Sequence, residues 1–234
     1  SFLTNIIGPL VPDIIESFEL SLTMAAFLPF AFFVAYGVMS IPSGMLIEIY
    51  GEKKVMVMAF LISSIGAFLF ASNVNYSFYL ISLFFIGSGM AMLQVAINPL
   101  LRTIGGEKEF AFNSVLGQLF FGLASFLSPL VYSYIVLNSE QSSANGSTLG
   151  GVIEQLKIPG FEWITLYWIF AVISLLMVVI IVLTKFPLVE RKEDEKAGAI
   201  ATHVGLLKKP MVLLYFFAIF CYVGTEQGVA NWIS

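Results

Sequence analysis

Five stretches of the chain, near residues 24–47, 55–72, 78–101, 110–137 and 163–184, are apolar almost from end to end. A helix needs about 20 such residues to cross the hydrocarbon of a bilayer, and each stretch has roughly that length. Residues 1–17 read as the remainder of an earlier span, broken by Gly8, Pro9 and Pro12, and residues 210–234 as most of a later one. With 59% hydrophobic and only 11% charged residues among 234, the chain falls outside the range of soluble domains, so the solvent to reason about is lipid. The expectation is an all-α membrane protein with seven segments. Both ends, SFLTNIIGPL and CYVGTEQGVANWIS, lie inside apolar sequence and read as cuts in a longer protein. The opening has neither the basic leader nor the small-residue cleavage site of a signal peptide.

Charge supports the segment assignment. If the segments alternate direction, Lys53, Lys54, Arg102, Lys108, Lys185, Arg191, Lys192, Lys196, Lys208 and Lys209 fall on one side and only Lys157 on the other. Positive charge concentrates in cytoplasmic connections, which puts the second, fourth and sixth connections in the cytoplasm. The longest charged stretch, 185–209, is then a cytoplasmic linker, and the lone His203 within it is read as solvated. Asn75 and Asn145 begin N-x-S sequons on the outer side, a frequent chance match. A net charge of −4 offers no electrostatic footprint for nucleic acid. The single Cys221 lies in an apolar run and reads as packing.

The fourth span holds MAMLQVAINPLL, with Gln94 and Asn98 four residues apart and therefore on one helical face. Pro99 removes a backbone donor and crowds the carbonyl of Val95. Amides facing lipid lack partners, so this face turns inward, either lining a polar cavity or joining helices together. Gln118 in the fifth span and Asn5 in the first add further amides, which both donate and accept and so suit hydroxyl-rich ligands. The seventh segment carries the one acid expected in the middle of a span, Glu226, with Tyr222 a turn earlier and Gln227 beside it. Inserting a carboxylate at that depth costs about 2.5–3.5 kcal/mol, so Glu226 is expected to be paired or functional.

Between the second and third spans, GMLIEIYGEKK at 44–54 resembles the G-x-L-x-D-x-x-G-x-[RK]-[RK] loop of the major facilitator superfamily, with Glu48 in the acidic position. Six spans, a charged linker and a seventh span fit the two six-helix bundles of that architecture, built from inverted three-helix repeats. Gly37, Ser40 and Pro42 loosely echo Gly122, Ser125 and Pro129, as such a repeat requires. Together with LQVAINP at 93–99, LTKFP at 183–187 and FCYVGTE at 220–226, the loop makes the chain similar to the fucose/galactose/glucose-proton symporter family within that superfamily. The resemblance implies a major facilitator fold: a six-helix bundle over 1–184, a linker over 185–209 and the first helix of the second bundle over 210–234, a fragment of a twelve-helix transporter. It also implies that Gly44, Glu48, Gly51, Lys53 and Lys54 form a gating loop that latches the two halves. The alternative is an ordinary interfacial loop.

The same resemblance implies a sugar substrate held by Asn5, Gln94, Asn98, Gln118, Tyr222 and Gln227, with Glu226 coupling transport to protons. Two departures stand out. The family's fourth-span motif reads E-T-A-A-N-P, so Asn98 and Pro99 match while the proton-linked glutamate is Gln94, and the first-span aspartate falls on Gly8. Phe121 also replaces an asparagine that follows the fifth-span glutamine. Gln94 does not titrate near neutral pH, which leaves proton coupling to Glu226 or to an acid elsewhere, and leaves sodium coupling and an uncoupled facilitator open. A third reading is a membrane sensor that binds sugar without moving it. One His, one Cys and the absence of H-E-x-x-H, G-x-S-x-G and a phosphate-cradling glycine loop point away from an enzyme, and no cofactor or metal is expected. The implied setting is a multi-pass protein of the bacterial inner, or plasma, membrane.

Overall fold

The computed structural model describes residues 2–137, 162–186 and 208–232. The Ser/Asn/Gly-rich connection with Asn145, Lys157, most of the charged linker and His203 lie outside the described residues. Among the described residues the regular elements are all helices. They are α1 Phe2–Phe18, α2 Leu22–Tyr50 and α3 Glu52–Ser72, then α4 Tyr76–Thr103 and α5 Glu109–Ser133. A short 3-10 turn at Glu162–Ile164 leads into α6 Thr165–Leu183, and α7 covers Pro210–Trp232. Helices α2 to α6 are each long and apolar enough to cross a membrane.

Two connections are tighter than the sequence led us to expect. The fourth connection is a kink between two helices, α4 and α5, centred on Gly106 at φ 67 and ψ 172, with no extended loop between them. The joint of α2 and α3 is one residue, Gly51, at φ 81 and ψ 160. Both backbones lie where a Cβ is strongly disfavoured, which is why glycine stands there.

The first segment also departs from expectation. Instead of breaking at Gly8, Pro9 and Pro12, α1 runs through all three. Proline's fixed φ is compatible with a helix; its cost is a lost donor, which membrane helices tolerate where neighbours pack against the site. Ile6, Leu10 and Ile14, spaced by four on one face, are at most 1% exposed, and this packing holds the helix together.

Small residues set the helix order. Gly87 and Gly89 point to opposite sides of α4: a Cβ on Gly87 would overlap the Phe32 carbonyl of α2, and one on Gly89 would lie 2.6 Å from the Ala59 carbonyl of α3. Gly66 of α3 answers from the other side, where a Cβ would meet the Ser82 carbonyl at 2.8 Å. Lipid tails give helices no hydrophobic reason to associate, so close backbone approach and dispersion hold α4 between α2 and α3. Helix α3 packs in turn on α6. There Ser64 Oγ donates to the Ala171 carbonyl at 3.2 Å, and Phe68 meets Trp168 edge-on with centroids 5.3 Å apart. Tyr76 OH donates to the Met24 carbonyl at 2.7 Å, tying the start of α4 to the start of α2.

Candidate functional site

The fourth helix separates its residues by chemistry. Ala91, Met92, Leu93 and Ala96 are buried in the bundle, whereas Gln94, Ile97 and Asn98 are exposed. The polar pair therefore lies on the outer face of the bundle, away from its core, and both amides are free to meet something beyond α4. Pro99 lies inside the helix. Thr103 Oγ1 donates to the Pro99 carbonyl at 3.0 Å, one turn beyond the proline. The missing amide hydrogen of Pro99 leaves the Val95 carbonyl without its helical donor, one turn above on the same stretch.

Gln118 is exposed on α5, among large apolar neighbours such as Val115 at 68% and Leu119 at 65% exposure. Helix α7 packs against α1 and shows most of its surface, with Tyr222 68% exposed and Glu226 exposed one turn later. Thr225 Oγ1 closes back on the Cys221 carbonyl at 2.8 Å and leaves Glu226 unconstrained by it. The backbones of Asn5 and Gln227 belong to α1 and α7, but their side chains lie outside the described part of the structure. The structure thus brings Gln94 and Asn98 together on one face and Tyr222 and Glu226 on another. Among the described residues no hydrogen bond links the two sets. What the arrangement offers is a set of neutral donors and acceptors with one carboxyl, chemistry fitted to hydroxyl groups. Among the described residues no group of three or more His, Cys, Asp and Glu could hold a metal ion.

At the other end of the bundle, the stretch matching the loop signature is almost entirely helical. Glu48 is exposed in the last turn of α2 and Gly44 is half-buried a turn earlier. The Gly51 amide donates to the Ile47 carbonyl at 2.8 Å. Glu52 opens α3 and is buried, 8% exposed. Lys54 is exposed, whereas Lys53 turns away from it: its Nζ donates to the carbonyls of Val182 at 2.9 Å and Thr184 at 2.8 Å at the end of α6. Sequence reasoning grouped Lys53 with Lys54 and did not see this contact; the only local hint was that the two lysines are adjacent and so must diverge on a helix. The close-packed Gly87 and Gly89 were missed as well, although the run GSGMA announces small residues at helical contacts.

A family model described as Major Facilitator Superfamily matches residues 1–234. The chain is 28% identical over 235 residues to a glucose/galactose transporter of Brucella abortus biovar 1 (strain 9-941), covering 99% of this chain and 54% of that protein. It is 27% identical over 239 residues to the L-fucose-proton symporter of Escherichia coli (strain K12), covering 98% of this chain and 55% of that protein. A crystal structure of the E. coli fucose:proton symporter FucP superposes with a TM-score of 0.64 at 26% identity, over 96% of this chain and 57% of that one. The chain spans about half the length of these relatives.

Proposed function

Because the chain belongs to the Major Facilitator Superfamily and is a multi-pass membrane protein, we propose that it is the first half of a secondary active transporter that moves a hexose- or fucose-like sugar by alternating access, coupled to protons. The observation that carries this reading is the outward-facing amide pair Gln94 and Asn98 on α4. A bundle that puts polar groups on its outside in a lipid solvent needs a polar cavity there, and a second bundle across it would close one. Relatives named for glucose, galactose and L-fucose support a sugar as the cargo.

In this reading Asn5, Gln94, Asn98, Gln118, Tyr222 and Gln227 bind the sugar and Glu226 carries the proton. Residues 1–184 form the first bundle, 185–209 the cytoplasmic linker and 210–234 the start of the second. Gly44, Glu48, Gly51, Lys53 and Lys54 contribute to the latch between the halves. The protein resides in the bacterial inner membrane. Gln94, which cannot titrate near neutral pH, favours a second reading: an uncoupled or sodium-coupled facilitator.

Uptake by the full-length protein in proteoliposomes separates these. Accumulation driven by an inward proton gradient and lost in Glu226→Gln supports symport. Accumulation driven by sodium, or equilibration indifferent to pH and to Glu226→Gln, supports the second reading. Saturable sugar binding with neither uptake nor counterflow would make the protein a sensor and overturn both.

A further inference from the structure

The last turn of α6 leaves carbonyls that no helical amide can reach. Ile180 O accepts twice, from the Thr184 amide at 2.9 Å and from Thr184 Oγ1 at 2.7 Å. The carbonyls of Val182 and Thr184 accept instead from Lys53 Nζ, which belongs to the first turn of α3 and lies 129 and 131 residues away in sequence. The same ammonium stands 5.9 Å from the ring centre of Phe186. A cation on the negative end of a helix dipole, with two charge-assisted hydrogen bonds, is a favourable combination, more so at a membrane interface than in open water.

The position of this contact gives it a consequence. Lys53 is two residues from the Gly51 joint, inside the stretch that matches the loop signature, and Phe186 is where the chain leaves the first bundle. Higher up, α3 and α6 are already joined by Ser64 to the Ala171 carbonyl and by Phe68 on Trp168. Glu48 and Lys54 of the same stretch are exposed. We propose that Lys53 is a positioning residue that caps α6 from α3 and fixes the root of the connection to the second bundle on the signature stretch, so that α3, α6 and this root move as one body. The exposed Glu48 and Lys54 are then the members left to face the opposing bundle. The proposal rests on the transporter reading for its effect on turnover, but not for the cap itself.

The test uses the full-length protein with Lys53→Met, which keeps the stem and removes the charge, beside Lys53→Arg, which keeps a donor and the charge. Hydrogen exchange read by mass spectrometry follows a peptide over residues 180–186, with one over residues 209–216 as internal reference. Loss of the cap should speed exchange in the first peptide about tenfold in Lys53→Met, leave the reference unchanged, and be largely reversed in Lys53→Arg. Glucose, galactose and L-fucose uptake should show a severalfold lower maximal rate in Lys53→Met at unchanged KM, recovered in Lys53→Arg. Unchanged exchange in Lys53→Met overturns the cap. Faster exchange with an unchanged maximal rate overturns the positioning role. If the wild-type protein moves no sugar, the transporter reading fails while the exchange result still decides the cap.

Discussion

Phe70 stacks on Tyr167 with ring centroids 3.6 Å apart and planes 15° from parallel. Tyr79 covers the opposite face of Phe70 at 4.2 Å and 20°. The three rings come from α3, α4 and α6 and lie wholly buried where these helices meet. The hydroxyls of Tyr79 and Tyr167 are buried without a partner. Their rings therefore stabilise the helix contacts, and their oxygens do not. Phe70→Ala should cost about 3–5 kcal/mol through the cavity it leaves, whereas Tyr167→Phe should be neutral or stabilising. Thermal unfolding of the purified full-length protein, followed by intrinsic tryptophan fluorescence, checks both; an equal loss in the two variants would mean that the Tyr167 hydroxyl is satisfied after all.

The glycine contacts of α4 make a prediction about size alone. A methyl group at Gly89 would press on Ser63 and the Ala59 carbonyl, and backbone cannot move aside as a side-chain tip can. Gly89→Ala is expected to push α4 off α3 and cost about 1–3 kcal/mol. Gly122→Ala on α5, where nothing lies within 4 Å, should cost nothing or gain a little from helix propensity. Comparing the melting temperatures of the two variants isolates packing from propensity.

Gln94 occupies the exposed face of α4 together with Asn98 and carries no titratable group. Gln94→Glu changes one amide to a carboxyl at nearly the same volume, so it tests the proton question without disturbing packing. If uptake runs through this face, Gln94→Glu should depend more steeply than the wild type on an inward proton gradient, and Asn98→Ala should raise KM about tenfold by removing a hydrogen-bonding group from the sugar. Initial rates of radiolabelled sugar uptake at several external pH values read both effects. A Gln94→Glu protein that responds to the gradient no more than the wild type would place the coupling elsewhere.

Most of the fold was legible because the bilayer imposes a length. The stretch 24–47 marked the apolar middle of α2, and the helix runs on to Leu22 and Tyr50, between the Ser21 cap and Gly51. Pairing of Gln94 with Asn98 was legible too, since spacing by four fixes a shared face. Continuity of α1 through Pro9 and Pro12 was not, because a local rule about proline is overridden by the packing of Ile6, Leu10 and Ile14. Nor was the partner of Lys53. Its acceptors are backbone carbonyls, which every residue has, so no side-chain pattern in the sequence could single out Val182 and Thr184. The same limit applies to the candidate site: periodicity shows which face of a helix is polar, and says nothing about which element stands across from it.

Gly51 supports a sharper prediction than its place in a loop signature would. At φ 81 and ψ 160 its backbone is outside the left-handed helical region that asparagine and aspartate tolerate, in territory that is essentially glycine's alone. Nothing lies within 4 Å of where a Cβ would be, so a substitution there meets no neighbour and its cost is purely that of the backbone. Gly51→Ala should therefore cost about 1–3 kcal/mol, and Gly51→Asn should cost as much, although asparagine rescues ordinary left-handed positions. The strain falls on the joint of α2 and α3, with Glu48 one turn before it and Lys53 two residues after. Relief by unwinding the joint should weaken the hold of Lys53 on α6 as well. Thermal unfolding of both variants, with hydrogen exchange over residues 180–186, tests this. If asparagine restores stability where alanine does not, the joint adopts an ordinary left-handed turn and the two helices meet at a different angle.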